Sequence, residues 1–345
     1  MKVHFSYWWD PPGKKEFSAL KYTPKRSGKW KNISIADNLE SADVVVVFDV
    51  CCESEKDFLL SGNTGKKILW FTREPPDIHP GNITRSDQFR DELVSRGVEF
   101  YDYLADDLPL LSTWHVRGDY DHYSSLKYQK RDNLLSTIIS SKSINDPVII
   151  KALSQGVSQS DYDSGLVELT SRLKSSCSNE ESFGRGYSSR KLIMLECIKR
   201  NLNLDVYGRI NDTALIRDVS SLAGNSNIGF KGSLSPADKE RAYKNYHYSL
   251  VFENSSHTNY FSEKINDSFL EWSMPIYWGC KNINKYFPEE SLIKIEKDDI
   301  LYPDEFMSRL RDLDQPSRKN IEAIRESRDL LLNKYNLMEQ IRNLI

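Results

Sequence analysis

The sequence lacks most of the features that assign a function at sight. Its five cysteines are an odd number: Cys51 and Cys52 are adjacent, and Cys177, Cys197 and Cys280 are scattered. Neither a disulfide framework nor a zinc spacing emerges, so a reduced, cytoplasmic setting is expected. No apolar run approaches the ~18 residues of a membrane span, and the opening "MKVHFSYWWDPPGKKEF" has no apolar core of a signal peptide. Basic and acidic residues nearly balance, 47 against 50, with no basic block, which argues against nucleic acid as a partner. The six histidines show no ligand spacing, so no metal is expected. There is no G-x-G-x-x-G between a strand and a helix and no Walker A sequence. Any phosphate would have to be held by side chains and a bare helix N-terminus.

What is present is an α/β pattern. "KVHFSYW" (2–8), "ADVVVVFDV" (42–50) and "KKILWFT" (66–72) are apolar, β-branched runs of the kind buried in parallel sheets. "SDQFRDELVSRG" predicts a helix over 86–97, and "VEFYDYL" a strand after it. Residues 1–130 thus read as one Rossmann-like domain. From "NLLSTIISS" (133–141) the pattern restarts, and 131–325 reads as a second such domain. A polar stretch, 143–187, is expected to be an insertion or mobile segment. In the second domain the spacing predicts a helix on Leu192, Leu195 and Ile198 and a strand in "LDVYGRI". A short helix in "PADKERAYKNY" and a strand in "YSLVFE" follow. Next come a helix beginning near Tyr260 that buries Phe261, Ile265, Phe269 and Trp272, and a strand in "PIYWG". The C-terminal run "KNIEAIRESRDLLLNKYNLMEQIRNLI" reads as helical throughout, with 326–345 folding back on the domain junction.

One segment carries chemistry on its face. In "FENSSHTNYFSEK" a buried strand ends in Glu253 and Asn254, crosses a polar loop and starts a helix on Glu263 and Lys264. A lysine in a first helical turn opposes the dipole by roughly 0.3–1 kcal/mol; it gains a purpose if it meets an anion, and phosphate favours that position. Glu263 has the oxygens to accept both hydroxyls of a ribose. The competing reading is a solvated first turn, and for Tyr260 a side chain stapling the helix start. The sequon Asn254-Ser255-Ser256 lies in this loop, where a glycan would obstruct a ligand.

The block "FENSSHTNYFSEKINDSFLEWSMPIYWG" resembles the motif of family 10 glycosyltransferases, the α-1,3/4-fucosyltransferases. "LDVYGRI", "WFTREPP" and "NLLSTIISSK" resemble further segments of that family, and the matches run from about residue 66 to 295. Phe261-Ser262 departs conservatively from the usual Val-Thr, and 143–187 has no counterpart. The resemblance implies a GT-B fold, two Rossmann-like domains facing across a cleft. It implies an inverting transfer of L-fucose from GDP-fucose to a hydroxyl of a glycan acceptor, with no required cofactor or metal. Arg190 and Lys264 would meet the donor diphosphate and Glu263 the ribose. Asn254 and Tyr260 would line the pocket, with Tyr207 and Arg209 nearby. Glu74, after the strand "KKILWFT", would be the general base taking the acceptor proton; the plainer reading is a loop-end cap. Trp8, Trp9 and His115, in aromatic stretches suited to stacking on sugars, are the acceptor-side candidates, although packed loops account for them as well. Two alternatives remain: the same fold with another nucleotide sugar, and a binding protein without catalysis.

Overall fold

The structure is a computed structural model describing residues 1–7, 18–61, 65–72, 87–102, 113–139, 171, 186–208 and 228–345. The first half builds β1 (Lys2–Ser6), the hairpin β2 (Lys29–Trp30) and β3 (Ile33–Ile35), and β4 (Val44–Phe48). After these come α1 (Lys56–Leu60), β5 (Lys67–Thr72), α2 (Asp87–Ser95) and β6 (Val98–Asp102). The strands form one sheet in the order β2-β3-β1-β4-β5-β6, parallel except for the hairpin. "VVVVF" is buried at every position of β4, which is why it reads as an unbroken apolar run. Val44, Val46 and Phe48 belong to a large core reaching the second half, while Val45 and Val47 pack with Leu59 of α1 and Leu93 of α2.

A connecting segment carrying the short helix α3 (Tyr120–Ser125) leads to the second half. There stand β7 (Asn133–Ile138), α4 (Gly186–Lys199), β8 (Leu204–Tyr207) and β9 (Ile228–Gly232). A 3-10 helix (Pro236–Ala242), β10 (Tyr246–Phe252), α5 (Glu263–Leu270), β11 (Met274–Trp278) and β12 (Ile293–Lys294) follow. This sheet is parallel throughout, in the order β12-β11-β10-β7-β8-β9. The chain runs outward from β7 through β8 and β9, then returns to β7's other side with β10. The strand order therefore reverses between β7 and β10, and a crevice opens at the carboxyl ends of such strands. The α/β class with two Rossmann-like sheets agrees with the sequence reading.

Beyond the second sheet come α6 (Lys297–Leu301), α7 (Pro303–Arg311), α8 (Arg318–Asp329), a π turn (Leu330–Lys334) and α9 (Leu337–Leu344). The expectation of unbroken helix here needs correction. The chain breaks at Tyr335-Asn336, because Asn336 caps α9 through Oδ1 (Met338 N–H, 2.9 Å) and donates its amide to the carbonyls of Tyr22 and Leu332. Buried Arg328 of α8 donates to the carbonyls of Phe269 and Leu270 at the end of α5, and to those of Tyr123 and Leu126 at the end of α3. Its guanidinium also stacks 4.4 Å from the Trp272 ring. Beside it, Glu271 accepts from Tyr123 Oη at 3.1 Å; burial pushes its carboxyl up to about 7. From α9, Glu339 reaches the first half, accepting from Trp30 Nε1 (2.7 Å) and Lys31 Nζ (2.8 Å) while Arg342 braces it.

Candidate functional site

The segment following β10 is shaped around Glu253, a carboxylate with no exposure. Its oxygens accept from the Ser262 backbone N–H (2.9 Å) and the Ser262 hydroxyl, so the two ends of the 253–262 loop are tied together. Tyr277 Oη adds a longer contact at 3.4 Å. Midway, Asn259 takes a left-handed conformation (φ 65°) that asparagine tolerates. Asn282 and Tyr286 donate to its side-chain oxygen at 2.8 and 2.7 Å. Ser262 caps α5 by accepting from Lys264 N–H. The helix thus starts at Glu263, three residues later than its expected start near Tyr260; Tyr260 and Phe261 are buried in irregular chain ahead of the cap.

A second helix arrives at the same loop. The Gly186 N–H at the start of α4 donates to the Asn254 carbonyl at 3.0 Å. A Cβ on Gly186 would stand 1.9 Å from the Glu253 carbonyl oxygen, so only glycine permits this approach. The first turns of α4 and α5 therefore both abut residues 253–254, α4 through Gly186 on the Asn254 carbonyl and α5 through its cap Ser262 on the Glu253 carboxylate. The positive ends of both helix dipoles point at this loop.

Charged side chains fill its flank. Lys264 Nζ lies 3.4 Å from Glu263 and 3.6 Å from Glu253. Lys239, from the 3-10 helix, lies 3.9 Å from Glu263 and 2.6 Å from Asp267, whose side chain is fully buried on α5. Desolvation works to raise the Glu263 carboxyl, but Lys264, His115 and Lys239 outweigh it and hold the group well below the usual carboxylate range. Burial keeps Glu253 above that range, with Lys264 opposing. Asp267 also accepts from the backbone N–H groups of His115 (2.8 Å) and Val116 (3.3 Å), and Asn266 donates to the Thr113 carbonyl (2.8 Å). Lys21, from the first half, donates to the Trp114 carbonyl, and burial lowers its ammonium to about 8.

The sequence-derived candidates are distributed as follows. Glu263, Lys264 and Tyr260 come together at the start of α5, with Tyr260 buried rather than lining open space. Asn254 stands at the junction of loop and α4. Arg190, buried on α4, donates to the Phe252 carbonyl at 2.8 Å, directly behind the loop. Tyr207 bonds Tyr246 Oη (3.0 Å), which donates to Asp205. His115 is exposed and sits against α5 in the second half through its backbone bond to Asp267. Glu74, Arg209, Trp8 and Trp9 lie outside the described residues, as does most of 143–187. Sequence reasoning missed Lys239 and Asp267. Asp267 carried a usable signal: an acid one turn beyond Glu263, hence on the same helix face as the candidate. Lys239 carried none, being remote in sequence and outside any motif.

Comparison with known proteins points to the same half of the chain. Residues 171–323 match the model of the glycosyltransferase family 10 (fucosyltransferase) C-terminal region. A mouse 4-galactosyl-N-acetylglucosaminide 3-alpha-L-fucosyltransferase 9 is 31% identical over 86 residues, 24% of this chain and 23% of that protein. The Helicobacter pylori alpha-(1,3)-fucosyltransferase FucT is 25% identical over 80 residues, 23% of this chain and 17% of its own length. The chain thus spans about a quarter or less of the length of the curated relatives it matches. Crystal structures of alpha1,3-fucosyltransferase, alone and with GDP-fucose, align over 97% and 96% of this chain and 92% and 90% of theirs. Identities there are 14% and 15%, with TM-scores of 0.43 and 0.36. The region that forms this crevice is thus similar to the C-terminal part of the family 10 glycosyltransferases.

Proposed function

We propose that the chain transfers L-fucose from GDP-fucose to a hydroxyl of a glycan acceptor, with inversion at the anomeric carbon. The observation that carries this reading is the meeting of the α4 and α5 N-termini at residues 253–254, with Lys264 in the first turn of α5. A diphosphate seated there faces the positive ends of two helix dipoles and an ammonium where negative charge grows as GDP departs. Glu263, held ionised, accepts the ribose hydroxyls. Arg190 supports the same wall. Charge on the leaving group is met by these side chains, so turnover should survive chelation. Glu74, two residues past the carboxyl end of β5, takes the proton from the acceptor hydroxyl as it attacks. The acceptor approaches from the first half. The reaction belongs in the cytoplasm, where the Asn254 sequon stays unglycosylated.

Calorimetry with GDP tests the donor half of this reading. Lys264→Ala should weaken GDP binding by roughly 1.5–3 kcal/mol, the range for hydrogen bonds to charged groups, with little change in thermal midpoint. Wild-type affinity in that variant removes Lys264 from the site. Glu74→Gln should bind GDP-fucose normally while turnover falls roughly 10²–10⁴-fold. More than a tenth of wild-type turnover would rule out Glu74 as the base.

A further inference from the structure

Glu263 and Asp267 lie one helical turn apart on α5, so their carboxylates share a face and repel. Lys264 is the nearest cation to Glu263, yet it is also 3.6 Å from Glu253. One ammonium between two carboxylates has little charge left for a diphosphate. Lys239 changes this balance. It enters from a different element, the 3-10 helix ahead of β10, and its Nζ sits between the two acids, 2.6 Å from Asp267 and 3.9 Å from Glu263. Its side chain is mostly enclosed, 18% exposed; burial works to lower its ammonium, and Asp267 and Glu263 more than compensate, raising it above the usual lysine value.

We propose that Lys239 is a positioning residue of the donor site: it neutralises and fixes the Glu263 carboxylate and thereby leaves Lys264 available to the diphosphate. This rests on the reading of the crevice as a GDP-sugar site. The arrangement has a second effect. The oxygen of Asp267 not taken by Lys239 holds the His115 and Val116 N–H groups, so the carboxylate that anchors Lys239 is itself set by the segment joining the two halves. The Glu263 geometry thereby depends on that segment being in place.

GDP calorimetry on four proteins decides the matter. Lys239→Met alone strands a buried Asp267 carboxylate, so the informative variant is the pair Lys239→Met with Asp267→Asn, which removes both charges. Its GDP dissociation constant should rise about tenfold, at a temperature well below its unfolding midpoint. Lys239→Arg should restore binding to within about threefold of wild type. Should the pair variant fail to fold, Lys239→Gln, which keeps a hydrogen bond to Asp267 without the charge, should show the same tenfold loss. Wild-type affinity in the folded pair variant or in Lys239→Gln overturns the inference, and so does an Arg variant as weak as the uncharged ones. A wild-type protein that binds no GDP overturns the proposed function and takes this inference with it.

Discussion

Replacing Arg328 by Met perturbs the joint between the two halves without touching the crevice. The guanidinium serves four backbone carbonyls, those of Phe269 and Leu270 ending α5 and those of Tyr123 and Leu126 ending α3. Each buried acceptor left without its donor costs about 1–3 kcal/mol. Against that stand two gains: a buried cation no longer has to be desolvated, and the Met chain still packs on Trp272. Breaking comparable buried charged contacts costs about 3–5 kcal/mol net, and that is the loss expected here. Urea unfolding followed by tryptophan fluorescence reads it directly, because Trp272 and Trp114 lie in this region. GDP affinity measured well below the midpoint should stay within about threefold of wild type, since the α5 N-terminus is held separately by Glu253 and Ser262. A loss under ~1 kcal/mol would refute the view that this side chain caps two helices at once.

Glu271→Gln tests the buried carboxyl beside that arginine. Burial raises the folded-state value from 4.5 to about 7, so the folded protein keeps a proton that the unfolded chain has released. Wild-type stability relative to the variant should therefore fall as pH rises from about 4.5 to 7 and level off above. The change is at most about 3 kcal/mol by linkage; a flat difference across that window refutes it. Gly186→Ala drives a Cβ into the Glu253 carbonyl and should cost about 1–3 kcal/mol as an overpacked contact. GDP affinity should fall with it, and unchanged binding would separate α4 from the site. Glu339→Gln removes a carboxylate lowered to about 2, chiefly by Arg342 and then by Lys31 and Trp30. The wild type should exceed this variant by about 1–2 kcal/mol above pH 4.5, after allowance for solvent screening. That margin should vanish as pH falls towards 2, and thermal unfolding at pH 3 and 7 would show whether it does.

The strands that sequence made legible are those buried on both faces, where burial itself writes a continuous apolar run: β4, β5, β10 and β11. β2 and β12 have two residues each, too few to carry any period. The break before α9 did leave a trace, Asn336 followed three residues later by Glu339, but the flanking leucines concealed it as continuous helix. At the crevice, Glu263 and Lys264 were readable because a cation in a first helical turn is locally unfavourable and so demands a partner. The Lys239 contact was not, since it depends on bringing a side chain of the 3-10 helix against α5, 24 residues away in sequence from Glu263. Gly186 fell within what reads as a polar insertion; its role lies in a distance to another element's backbone, which local sequence does not encode.

The reach of Glu339 to Trp30 and Lys31 sets an order of events during synthesis. A ribosome that has released the whole first sheet, which ends at Asp102, has still to make well over two hundred residues before this carboxylate at position 339 emerges. Asn336, which donates to the Tyr22 carbonyl, arrives just as late. Until then the Trp30 indole and the Tyr22 backbone have only water, or the wrong neighbours, to satisfy them, and early-exposed apolar surface is where nascent chains go astray. Arrested nascent chains ending near residue 330 should accordingly show a first half that proteases still cut, with protection appearing once residues 337–344 have cleared the exit tunnel.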